Sequence, residues 1–162
     1  MKPHLLIRTF ELHLGARVRT DEAEQLALMS KTIGEPVKWR LHQKKLQRYR
    51  FSVRVIGHES TQLLTLVGTA SPSKWSFVLL GPSDVRLRKI STPHPGHFNC
   101  DGEESGPKHK HYWTEEHEDR CTYEPDDIRW DNLNEAFIDF TRECNIELLH
   151  SPPELHFQGD LL

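Results

Sequence analysis

Residues 46–91, LQRYRFSVRVIGHESTQLLTLVGTASPSKWSFVLLGPSDVRLRKIS, decide the fold. Four segments rich in Val, Leu, Thr and aromatic residues, 46–56, 62–68, 75–80 and 85–91, are divided by turn formers at 57–60, 71–73 and 81–84. Such residues favour strands, and connections this short favour antiparallel neighbours, so a meander is expected. In the first segment Tyr49, Phe51, Val53 and Val55 alternate with Arg48, Arg50 and Arg54. Successive side chains on a strand point to opposite faces, so one face is apolar and the other is wet and cationic.

Two helices frame the meander. Residues 20–31 carry Asp21 and Glu22 in the first turn, with Thr20 or Asp21 as the cap, before the Gly34-Glu35-Pro36 stop. Leu26, Met29 and Ile33 form the expected buried stripe. A second helix is expected over 132–144, capped by Asp131 and burying Leu133, Ala136, Phe137 and Phe140. Residues 109–113 and 119–123 read as two further strands around a turn, and 5–14 as an early one. Pro93, Pro95, Gly96, Gly102, Gly106 and Pro107 make 92–107 a loop. The expectation is one α+β domain over 1–150: an antiparallel sheet of five to seven strands with an N-terminal and a C-terminal helix packed on it. Pro152 and Pro153 mark 151–162 as a flexible tail.

At 162 residues, with 36% hydrophobic and 28% charged residues, the chain suits one modest core and falls outside the composition of disordered chains. No run reaches the roughly 18 apolar residues of a membrane helix, and His4, Arg8, Glu11 and His13 interrupt the start. Three cysteines, an odd number without framework spacing, are expected as reduced thiols. A cytoplasmic location follows as an expectation, with no membrane partner. The net charge of −3 conceals segregation: residues 36–54 hold seven Lys and Arg and no acid, whereas 101–127 hold ten acids. A polyanion such as RNA is the expected partner of the first block, through Arg48, Arg50 and Arg54, although a solvated sheet face explains those residues as readily. The second block suits a basic protein partner.

Five of the eleven histidines fall between His94 and His117, and His109 and His111 project from one face if their segment is extended. Three explanations compete. His94, His97, Cys100, His109, His111, His117 and Cys121 are candidate ligands for zinc, from which three or four would be drawn. Alternatively His109 and His111 act without metal as acid and base, since an imidazole pKa near 6.5 suits that role, with Arg86, Arg88 and Tyr112 steadying phosphate. The third explanation is a solvated loop whose histidines do no chemistry.

The order of these residues resembles a known family. Glu22-Ala23-x-x-Leu26-x-x-Met29, then His97-x-Asn99-x-Asp101-Gly102, Gly106-Pro107, His109-x-His111 and Cys144-Asn145-Ile146 are similar, over 21–147, to the uncharacterised bacterial family DUF6978. They are more distantly similar to toxin proteins of the TumE type. Lys108 stands where the resemblance puts the His pair directly after Gly-Pro. The resemblance implies a bacterial or mobile-element protein directed at RNA, a ribonuclease-like toxin or defence protein paired with a partner such as an antitoxin, with His97, Asn99 and Asp101 as a supporting loop. A non-catalytic binding or inhibitor protein and a structural zinc site are the alternatives.

Overall fold

The computed structural model describes residues 17–157; the strand expected over 5–14 lies outside them. Helix α1 (Thr20–Leu28) leads into β1 (Lys31–Ile33), β2 (Arg40–Gln43), β3 (Arg48–Gly57), β4 (Leu64–Ser71), β5 (Lys74–Leu80), β6 (Arg86–Ser91), β7 (Lys110–Thr114) and β8 (Glu118–Tyr123). Helix α2 (Leu133–Glu143) and strand β9 (Ile146–Leu148) follow. The nine strands form one open sheet in the order β8-β7-β6-β5-β4-β3-β1-β9, with β2 on the outer end of β3. Among the described residues, only the β1–β9 pair is parallel. The fold is α+β as expected, with the meander β3 to β6 at its centre.

Both helices contribute to one apolar cluster on a single face of the sheet. Ala23, Leu26 and Ala27 of α1 and Ala136, Phe137 and Phe140 of α2 meet Phe51, Val53, Leu66, Phe77, Leu79 and Ile90. Gly68 is there because Phe51 needs its space: a Cβ at 68 would sit 2.2 Å from the Phe51 ring. Among the described residues the opposite face carries no helix, and Arg48, Arg50 and Arg54 project from it, exposed.

Boundaries differ from the sequence reading for identifiable reasons. Helix α1 ends at Leu28, because Lys31-Thr32-Ile33 pairs with both β3 and β9. The fully buried Lys31 donates from Nζ to the carbonyls of Ala27 and Met29, satisfying the helix end. Neither Thr20 nor Asp21 caps α1; its flanking residue is Arg19, and Thr20 Oγ1 instead accepts from the Glu115 amide at 2.9 Å. The cap of α2 is Asn132 and not Asp131, its side chain accepting from the amides of Asn134 and Glu135. In the segment expected to be a loose tail, Pro153 is buried and the Asn134 side chain both donates to and accepts from the Leu155 backbone. Residues 158–162 lie outside the described part. Cys100 and Cys121 form a disulfide, so the expectation of three reduced thiols is corrected; Cys144 alone is free, and buried.

Candidate functional site

Strand register places the histidines on the face opposite the two helices. Ser52, Val67, Val78, Lys89, His111 and Thr122 are successive partners across β3 to β8. The same face therefore carries the β3 arginines and His111, four strand spacings or about 19 Å apart. Residues 92–107 loop over the β7–β8 end and bring His94 and His97 onto His109 and His111. Ring centroids lie 4.8 Å apart for His94–His109, 4.9 Å for His97–His109, 4.9 Å for His109–His111 and 5.3 Å for His97–His111.

Each imidazole is held the same way round. His109 Nδ1 donates to the Gly106 carbonyl at 2.6 Å and His111 Nδ1 to the Asp119 carbonyl at 2.8 Å. His94 Nδ1 lies 2.9 Å from the Pro95 carbonyl, and His97 Nδ1 bonds Ser105 Oγ at 2.7 Å. With Nδ1 carrying the proton, Nε2 keeps its lone pair. His109 Nε2 is buried and has no hydrogen-bond partner. Burial lowers both central histidines below the ordinary imidazole value, and His111 falls to about 4, with the Lys89 ammonium opposite adding to the effect. Both are neutral near pH 7.

One ring nitrogen from each of His94, His109 and His111 lies within 4.8 Å of the others. A tetrahedral ion with bonds of 2.0–2.1 Å needs nitrogens about 3.4 Å apart, so a closure of about 1.4 Å or less by side-chain rotation completes the set. Metal-binding histidines commonly donate the other ring N–H to a carbonyl or carboxylate, which orients the ring. Three imidazoles are a donor set of the kind that holds a transition-metal ion.

The other candidates sort by face. Simple alternation would put Arg86 and Arg88 on one face, but a β-bulge opposite Leu79 and Leu80 puts Leu87 between two registers and separates them. Arg86 stays on the histidine side, its Nη1 3.0 Å from Asp119 Oδ2. Arg88 turns beneath the helices, 5% exposed, to Glu24 of α1 and Glu143 of α2. Tyr112 pairs with Arg88 and also faces the helix side, against Tyr123, so it is removed from the histidines. The disulfide takes Cys100 and Cys121 out of the ligand set, and His117 sits in the β7–β8 turn with its Nε2 3.7 Å from Glu116. Asn99 proves structural in its bonds: its amide donates to the Thr122 carbonyl and accepts from the Thr122 amide, covering the open edge of β8. Asp101 accepts from the Glu103 amide and shapes that turn.

Lys89 is the residue the sequence reading missed. It is the β6 partner of His111, and burial followed by the nearby Arg86 charge lowers its pKa. Its pairing with His111 is a matter of register between strands, and the bulge that separates Arg86 from Arg88 carries no sequence signal. A cleft of about 600 Å³ runs from Arg48 past Thr69, Lys74 and Ser76 to Lys89 and His94.

A family model described as a family of unknown function (DUF6978) matches residues 19–146. The chain belongs to this family. Every histidine of the cluster, both disulfide cysteines and Lys89 lie within the DUF6978 match. No curated protein and no solved structure matches the chain. Among the described residues, no helix is long and apolar enough to cross a membrane.

Proposed function

We propose that this DUF6978 protein is a metal-dependent hydrolase of phosphodiester bonds, RNA being its expected substrate, with zinc or a similar ion held by His94, His109 and His111. The observation that carries the reading is the convergence of three ring nitrogens within 4.8 Å of one another, with the Nδ1 of each ring at hydrogen-bond distance from a backbone carbonyl. Imidazole donors suit zinc, copper or nickel, and three protein ligands with an open position are the pattern of catalytic rather than structural zinc. Such an ion supplies a water ionised near neutral pH and a Lewis acid for a phosphoryl oxygen.

The chain's own groups do the rest. The Gly106 and Asp119 carbonyls fix the tautomers of His109 and His111. Lys89, on the same face and opposite His111, offers a cation to the negative charge on the phosphoryl oxygens. Arg86, held by Asp119, offers a second. We favour this over a metal-free His109–His111 pair because both rings present free Nε2 lone pairs and neither supplies the acid that such a pair requires.

The test is cleavage of total RNA by protein loaded with zinc, manganese, nickel or copper. Cleavage is expected with at least one ion, stopped by chelator and absent in a folded His111→Ala protein. Intact RNA under every ion would overturn the hydrolytic reading, leaving a structural metal site if the ion is nonetheless bound. A toxin role, which the TumE-type likeness implies, predicts growth arrest on expression in bacteria, relieved by His111→Ala.

A further inference from the structure

Resting on that reading, we infer that the 600 Å³ cleft beside the histidines is a track for the backbone of a single nucleic-acid strand, bound through its phosphates without regard to base. Among the described residues three cations line it, Arg48 on β3, Lys74 on β5 and Lys89 on β6, and no acidic residue does. Between them stand hydroxyls, among them Thr69, Ser76 and Ser91, which occupy one register row across β4, β5 and β6. Hydroxyls and cations are the groups that hold phosphate and sugar.

Three features narrow the ligand. The cleft is of a size that holds a drug-sized molecule, enough for a short stretch of one strand, whereas a duplex is wider than its major groove, itself about 12 Å across. Among the described residues the lining offers no Asn or Gln to read adenine and no Asp or Glu to read cytosine. The single large aromatic residue of the lining among the described residues, Trp75, is already committed beneath the sheet, its ring 5.5 Å from Phe77 and 6.2 Å from Trp130. Base stacking therefore contributes little, and attraction rests on charge. The track ends at His94, so a phosphate held between Lys89 and His94 lies at the proposed metal.

Binding of a fluorescein-labelled oligouridylate of about twelve nucleotides, followed by anisotropy in EDTA, tests this. With three phosphates neutralised, log Kd should change with log salt with a slope of about 2, an affinity loss of about 20-fold between about 50 and 200 mM. Arg48→Ala with Lys74→Ala should lower the slope to about 0.7, since each neutralised phosphate contributes about that much. Arg142→Ala, on α2 across the sheet, should change neither value. Melting curves matched to wild type establish that the double variant is folded. Absent binding at low salt, equal binding of the duplex, or equal binding of polyglutamate overturns the inference, the last in favour of an acidic protein. Because EDTA strips any metal, failure of the metal reading leaves this result untouched, and failure here leaves metal binding untouched.

Discussion

Replacing Glu143 with Leu should destabilise the protein more than its place at the end of a helix suggests. Glu143 is only 9% exposed and lies between two buried cations, Lys110 and Arg88, while accepting a 2.5 Å hydrogen bond from the Tyr123 hydroxyl. Its loss strands neither cation completely. Lys110 keeps Asp127 at 2.8 Å, and Arg88 keeps Glu24, both of those acids being about half exposed. Removing one partner of a buried pair costs about 3–5 kcal/mol, and the surviving partners place the expected loss at the lower end, about 3 kcal/mol. For a domain of this size that lowers Tm by about 6–12 °C, measurable by circular dichroism or calorimetry. Adding Lys110→Met to Glu143→Leu should recover part of the loss, since an apolar pair can replace a buried ionic one. A Tm within about 2 °C of wild type for Glu143→Leu alone would refute the view that this network anchors β6 and β7 to α2. The network is relevant to the site because Lys110 separates His109 from His111 on the strand it fixes.

Two further outcomes follow from the same structure. Burial would raise the Asp139 pKa, but bonds from the Arg129 guanidinium and amide outweigh it and hold the carboxyl low. A depressed folded pKa adds stability above the unfolded value of 3.8 that is lost as pH falls through the folded one. Urea titrations should accordingly show stability falling below about pH 4 in wild type and a shallower fall in Asp139→Asn. Thiol titration of denatured, unreduced protein should count one free thiol, Cys144. Reduction should lower stability by about 3 kcal/mol, the loop-closure term for a bridge spanning 21 residues; three free thiols would contradict the Cys100–Cys121 bond.

What the sequence made legible was whatever repeats with a local period. The arginine and apolar alternation of β3, the meander and the burial of Phe137 and Phe140 follow from side-chain geometry that any window of the chain carries. The strands β1, β2 and β9, three or four residues each, are too short for a pattern, and the parallel β1–β9 pair joins segments more than a hundred residues apart. At the site, the facing of His109 and His111 was readable, and so was the clustering of histidines. Which loop histidines would join them was not, because His94 and His97 are positioned by Gly96, Ser105 and the long loop's path. A Cβ at Gly96 would come within 1.8 Å of the Ser105 carbonyl, a closeness that no spacing rule shows. The bulge that divides Arg86 from Arg88 and the disulfide that withdraws two thiols are likewise long-range facts.

Zinc titration of untagged, chelator-treated protein, by isothermal calorimetry with elemental analysis of the complex, bears most directly on the account. One ion per chain is expected, with affinity falling by more than about 100-fold in His109→Ala and in His111→Ala, since even loss of an outer hydrogen-bond partner costs about 10- to 100-fold. His117→Ala should bind as wild type does. No uptake of zinc, nickel or copper by folded wild-type protein, or unchanged affinity in both histidine variants, would contradict a metal centre at His94, His109 and His111.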